Sequence, residues 1–68
     1  MTPSEALRLG FRIIAEPRPE IGGYSVRVEP ATAVAKALCS QPFEVKRFTP
    51  EQAMEAAIDV LARKGRAA

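Results

Sequence analysis

Apolar and polar positions alternate most strictly in "YSVRVE", where Tyr24, Val26 and Val28 interleave with Ser25, Arg27 and Glu29. A period of two predicts a half-buried strand. The preceding "FRIIAE" repeats the pattern less cleanly, with Phe11, Ile13 and Ala15 on one face and Arg12, Ile14 and Glu16 on the other. Between the two runs lies "PRPEIGG", dense in turn residues. Two strands joined by so short a loop are expected to pair antiparallel, which predicts a β-hairpin over 11–29. In that loop Gly22 and Gly23 are expected to supply positive-φ conformations, while Pro17 and Pro19 stiffen the approach and remove backbone donors. "FEVKRF" alternates again, predicting a third strand over 43–48.

Helical grammar brackets these strands. At the N-terminus Thr2 caps, Pro3 suits the first helical position, Glu5 completes a capping box and Gly10 stops the run, so a short helix is expected within 1–10. The helix predicted over 50–64 is the strongest element. Thr49 caps it, Pro50 opens it, Gln52 can close a capping box, and Ala53, Met54, Ala57, Ile58, Val60 and Leu61 form a broad apolar face. Gly65 is expected to end it. Residues 31–40, in "PATAVAKALCSQP", are Ala-rich and favour a short helix. A strand reading, with Val34, Lys36 and Leu38 against Ala35, Ala37 and Cys39, also stands. The order is therefore α-β-β-(α)-β-α in a single α+β domain: a small antiparallel three-stranded sheet packed by a C-terminal helix. The expected core holds Phe11, Ile13, Tyr24, Val26, Val28, Phe43, Val45, Met54, Ile58 and Leu61.

Size and composition narrow the function classes. With 68 residues, a chain buries only about 60% of its unfolded surface, so a partner or a second copy would add stability. Cys39 is the only cysteine, and there is no His. An intrachain disulfide and a His-based triad are thereby excluded, and a structural zinc site nearly so, since one Cys without His cannot make one. Cys39 has no activating neighbour in sequence and reads as a structural cysteine. Gly22 and Gly23 do not open a helix, so no phosphate loop is indicated. Glu51, Glu55 and Asp59 recur every four residues along the last helix. They read as a solvated stripe in which Asp59 pairs with Arg63, rather than as a cation site. No catalysis, cofactor or metal is expected. The N-terminus lacks a signal-peptide pattern, and no apolar run approaches about 18 residues, so a cytoplasmic location with no membrane partner is expected.

The net charge of +2 is low for a dedicated nucleic-acid binder. The element order is nevertheless shared with double-stranded-RNA-binding domains, and in that alternative Arg12, Arg27, Arg63, Lys64 and Arg66 would carry the phosphate contacts. Against it, the last helix opens on the acidic "TPEQAME". The outer strand face also mixes Arg12, Arg27 and Lys46 with Glu16, Glu29 and Glu44.

Two stretches resemble a known family. "FRIIAEPRPEIGGYSVRVEP" is similar to the opening strand, turn, "GGY" and second strand of HicB-like antitoxin domains, and "TPEQAMEAAIDVL" to the start of their last helix. Together they span about half the chain. The segment "PATAVAKALCSQP" replaces the family's loop between strands two and three, and the DNA-binding segment that follows in many members is not expected after Ala68. The resemblance implies a non-catalytic module that binds and blocks a small RNA-cleaving toxin and often oligomerises. From the residues themselves the expectation is a protein-binding module or homodimer, with Arg18, Glu20 and Ile21 of the hairpin loop and Tyr24 beside it as the contact residues. Ile21 is expected to tuck back on the core. A phage or mobile-element inhibitor of another target is the remaining alternative.

Overall fold

The computed structural model describes residues 1–67, with side chains described through Lys64. The elements run α1 (Pro3–Leu9), β1 (Phe11–Arg18), a 3-10 turn (Pro19–Ile21), β2 (Gly23–Pro30), α2 (Ala33–Leu38), β3 (Phe43–Arg47) and α3 (Pro50–Ala67). The three strands form one antiparallel sheet in the order β1-β2-β3. The α+β architecture and the element order are those expected, and residues 31–40 contain a helix rather than a strand.

Each helix starts where a threonine satisfies a free backbone donor, a cap position worth about 1 kcal/mol. Thr2 Oγ1 accepts from Glu5 N at 3.2 Å and donates to Glu5 Oε1 at 3.3 Å. Thr49 Oγ1 accepts from Gln52 N at 3.1 Å. Thr32, not among the expected caps, accepts from Ala35 N at 3.1 Å. It also donates to the Leu9 carbonyl at 2.9 Å, joining the end of α1 to the start of α2. Gly10 makes that junction possible. Its φ is 100°, and a Cβ built there would overlap the Thr32 side chain.

The register pairs Ile13 with Val28, and Val26 with both Ala15 and Val45. Alternation then places Phe11, Val26, Val28, Phe43 and Val45 on the face toward the helices. The core is completed from the helices by Ala6, Ala35, Cys39, Ala53, Ala57, Ile58 and Leu61. Four of these are alanines absent from the expected core. Small side chains let helices approach the sheet closely, so they are buried by proximity rather than by bulk. Ile13, Phe43, Val45 and Met54 are half-buried against the cluster. α3 packs chiefly over β2 and β3, and α1 rests beside β1.

Several boundaries differ from expectation. β1 extends through Pro17 and Arg18, so the loop proper is only Pro19–Gly22. β2 reaches Pro30, β3 ends at Arg47, and α2 is confined to 33–38. α3 runs through Gly65 instead of stopping there, because a glycine inside a helix costs only about 1 kcal/mol relative to alanine. Of the two turn glycines, only Gly22 has positive φ, at 68°. Gly23 is required for a different reason. A Cβ there would overlap the Arg47 carbonyl oxygen and lie 3.2 Å from the Phe48 Cα.

Candidate functional site

The hairpin turn stands at one end of the sheet, and the C-terminal end of β3 stands beside it. Register sets this directly: Arg18 is opposite Gly23, and Tyr24 is opposite Arg47. The close approach of Gly23 to the Phe48 backbone brings the residue after β3 to the same end. Three large apolar side chains are exposed here: Phe48 at 76%, Ile21 at 42% and Tyr24 at 36%. Isolated exposed apolar residues need no explanation, but three at one end of a chain this small form a candidate contact surface.

Two expectations are corrected at this end. Tyr24 is not a core residue. It lies on the helix-facing side of β2, but beyond the part of the sheet that the core cluster covers, opposite Arg47. Ile21 does not tuck back on the core. The 3-10 turn closes through Gly22 N donating to Pro19 O at 3.2 Å, and this compact geometry leaves the Ile21 side chain exposed. Glu20 is exposed on the same turn. Phe48, the most exposed of the large apolar residues, is not among the expected contact residues. Its signal was an aromatic residue directly before the Thr49 cap, past the end of the alternating strand.

Arg18 is neither a loop residue nor a freely displayed one. Its side chain crosses β2 on the open face, the face away from the helices. The Nε donates to Ser25 Oγ at 3.0 Å and Nη2 donates to Glu44 Oε2 on β3 at 3.0 Å. Glu16 lies farther off, at 3.7 Å. This span covers Ser25, which is only 1% exposed although it sits on the open face. The bond and charge of Arg18 hold the Glu44 carboxyl below its usual range, and Glu44 in turn raises Arg18. A second pair on this face joins Arg27 Nε to Glu29 Oε2 at 2.9 Å, lowering Glu29 and raising Arg27. Four charges of the open face therefore neutralise one another in two pairs, Arg18 with Glu44 and Arg27 with Glu29.

Among the described residues, the basic side chains of the nucleic-acid alternative fall on two opposite sides of the sheet. Arg12 and Arg27 belong to the open face of the sheet. Arg63 and Lys64 belong to α3 on the opposite side, where Arg63 pairs with Asp59 and the Lys64 Nζ stands 5.8 Å from the centre of the Phe43 ring. The side chain of Arg66 lies outside the described residues. Glu55 and Asp59 of the acidic stripe line an open depression of about 690 Å³ together with Met1, Arg47, Gln52 and Ile58. No group of three metal-ligating side chains forms among the described residues. Cys39 is buried and donates from Sγ to the Gln41 carbonyl at 3.2 Å. Among the described residues, no helix is long and apolar enough to cross a membrane. No family model, curated protein or solved structure matches the chain.

Proposed function

We propose that this chain is a small non-catalytic protein-binding module that engages its partner through the hairpin-tip end of the sheet. The observation that supports this reading is the grouping of exposed Ile21, Tyr24 and Phe48 at one end, rimmed by Glu20 and Arg47. Apolar and aromatic side chains inside a charged rim are the usual composition of a contact surface. The partner that fits is a protein presenting an apolar segment. Arg18 serves the surface indirectly, by fixing the end of β1 against β3. The location expected for such a module is the cytoplasm. An antitoxin-like role, in which the partner is a small RNA-cleaving toxin, rests on the resemblance of the two sequence stretches alone.

The test is co-purification of the full chain with the product of an adjacent short reading frame. Binding is expected to survive in the wild type and to fall at least tenfold for a variant carrying Ile21→Ser and Phe48→Ala. Equal binding by both proteins would remove this surface from consideration. A gel shift with duplex RNA at low salt addresses the nucleic-acid alternative, and no shift is expected.

A further inference from the structure

The sheet has two outer edges, and they are not equally guarded. β3 is five residues long, and Glu44 and Lys46 charge its open face. Short, charged edges resist pairing with other chains. β1 is eight residues long, and its centre, Ile13-Ile14-Ala15, carries no charge. The side chains of Ile13 and Ile14 are half-buried and Ala15 is exposed, because α3 is centred over the other two strands. The edge is therefore apolar on both faces.

The backbone of this edge is open as well. Ala31 N donates to Gly10 O at 2.9 Å, which extends the β1-β2 ladder one step past the Phe11-Pro30 pair. Hydrogen-bonded and non-hydrogen-bonded pairs alternate in an antiparallel ladder. Phe11, Ile13, Ala15 and Pro17 therefore take non-hydrogen-bonded positions against β2, and their backbone groups point away from it. Pro17 and Pro30 both fall where no donor is owed to the neighbouring strand, which is why prolines are tolerated there. Three successive outward N–H groups, on Phe11, Ile13 and Ala15, remain without a strand to pair with.

We propose that the partner of this edge is a second copy of the chain, joined β1 to β1 across a two-fold axis that passes between the two Ile14 residues. The sequence of the edge selects that register. Outward-pointing residues must face outward-pointing residues, so the possible two-fold registers step by two. Centred on Ile14, the pairing sets Arg12 opposite Glu16 of the second copy, and Glu16 opposite the second Arg12. Ile13 exchanges backbone bonds with Ala15 of the other copy. Pro17 falls in the terminal pair opposite Phe11, where it accepts but cannot donate, so each end of this register carries one backbone bond instead of two. Centred one step either way, the pairing loses this match. On Ile13, Arg12 faces Ile14. On Ala15, Arg12 faces Arg18 and Pro17 enters the hydrogen-bonded pair with Ile13. Opposite charges directly across a ladder stabilise it and like charges oppose it. Glu16 is available for this role, since Arg18 is engaged mainly by Glu44. The product is a continuous six-stranded sheet with the two hairpin tips at opposite ends.

The test measures the mass of the full chain in solution by sedimentation equilibrium over a range of concentrations. The wild type is expected to form a dimer. Arg12→Glu and Glu16→Arg are each expected to weaken it by about tenfold or more, since each sets like charges opposite one another at both ends. An equimolar mixture of the two variants restores an Arg-Glu match at both ends, so it is expected to recover dimer as tight as the wild type. Ile14→Lys, which faces itself across the axis, is expected to be monomeric with an unchanged circular-dichroism spectrum. A wild type that stays monomeric to about millimolar concentration overturns the proposal. A dimer indifferent to both single reversals, or a mixture that does not recover, overturns it equally, because either excludes this register.

Discussion

The two ends of the sheet solve the same problem by opposite means. At the end where β1 starts and β2 finishes, the chain is closed on itself. Gly10 turns, Thr32 bonds both the Leu9 carbonyl and the Ala35 amide, and Ala31 donates back to Gly10. At the hairpin end, the turn is equally well formed, yet Ile21, Tyr24 and Phe48 remain exposed. The first end uses its special residues to join three elements. The second uses them to hold backbone in place beneath side chains that find no internal partner. A positive-φ glycine is thus a structural joint at one end and a support for display at the other.

Replacing the two positive-φ glycines should separate these roles most sharply. Gly10→Ala is expected to cost about 3 kcal/mol in urea unfolding, combining a left-handed alanine with overlap on Thr32. Gly22→Ala meets nothing within 4 Å, so only the conformational cost of about 1–2 kcal/mol applies. Equal losses at the two positions would show that the Gly10-Thr32 approach carries no energy of its own. Thr32→Val removes the cap and the bond to Leu9, and should lower stability by about 1–2 kcal/mol. Thr32→Ser keeps the hydroxyl and should lose much less. At the open end, Ile21→Ser and Phe48→Ala should each leave stability within about 0.5 kcal/mol of the wild type. A large loss there would mean that those side chains pack internally after all.

The smallest effect concerns acid. Glu44 and Glu29 have carboxyls lowered by Arg18 and Arg27 in the folded chain. A lowered folded value means that the contribution is fully present above the ordinary carboxylate value near 4.5 and is lost as pH falls through the folded value. Both groups are open to solvent, so the slope should be shallow. The urea midpoint of the wild type should decline below about pH 4.5, and Arg18→Gln should flatten part of that decline. An unchanged slope in the variant would show that the span across β2 does not bind the Glu44 carboxylate in solution.

Most of the fold was legible because its signals are local. Threonine caps, the strict alternation of β2 and the apolar face of α3 each act within a few residues. The second helix could not be separated from a strand by periodicity, since alanine fits either. Its deciding signal, the Thr32 hydroxyl, acts partly on Leu9, far away in sequence. Tyr24 was misplaced because alternation tells which face a residue occupies but not whether a helix reaches that far along it. Ser25 was the converse case: a residue on the solvent face became buried because an arginine from another strand lies over it. The contact surface was half visible. Ile21 and Tyr24 belonged to the hairpin, whereas Phe48 joined them only through the register of a strand that arrives from elsewhere in the chain.

The Gly23 approach to Arg47 and Phe48 also bears on how association would proceed. Ordering a loop and its side chains is a large part of the free-energy cost of forming a complex, about 0.5–1.5 kcal/mol for each side chain immobilised and more where backbone must also settle. The backbone beneath Phe48 is already seated against β2 before any partner arrives. At Phe48, what remains for an arriving protein to order is the aromatic side chain alone. Such a surface is set for fast, rigid-body docking, with little left to fold on contact.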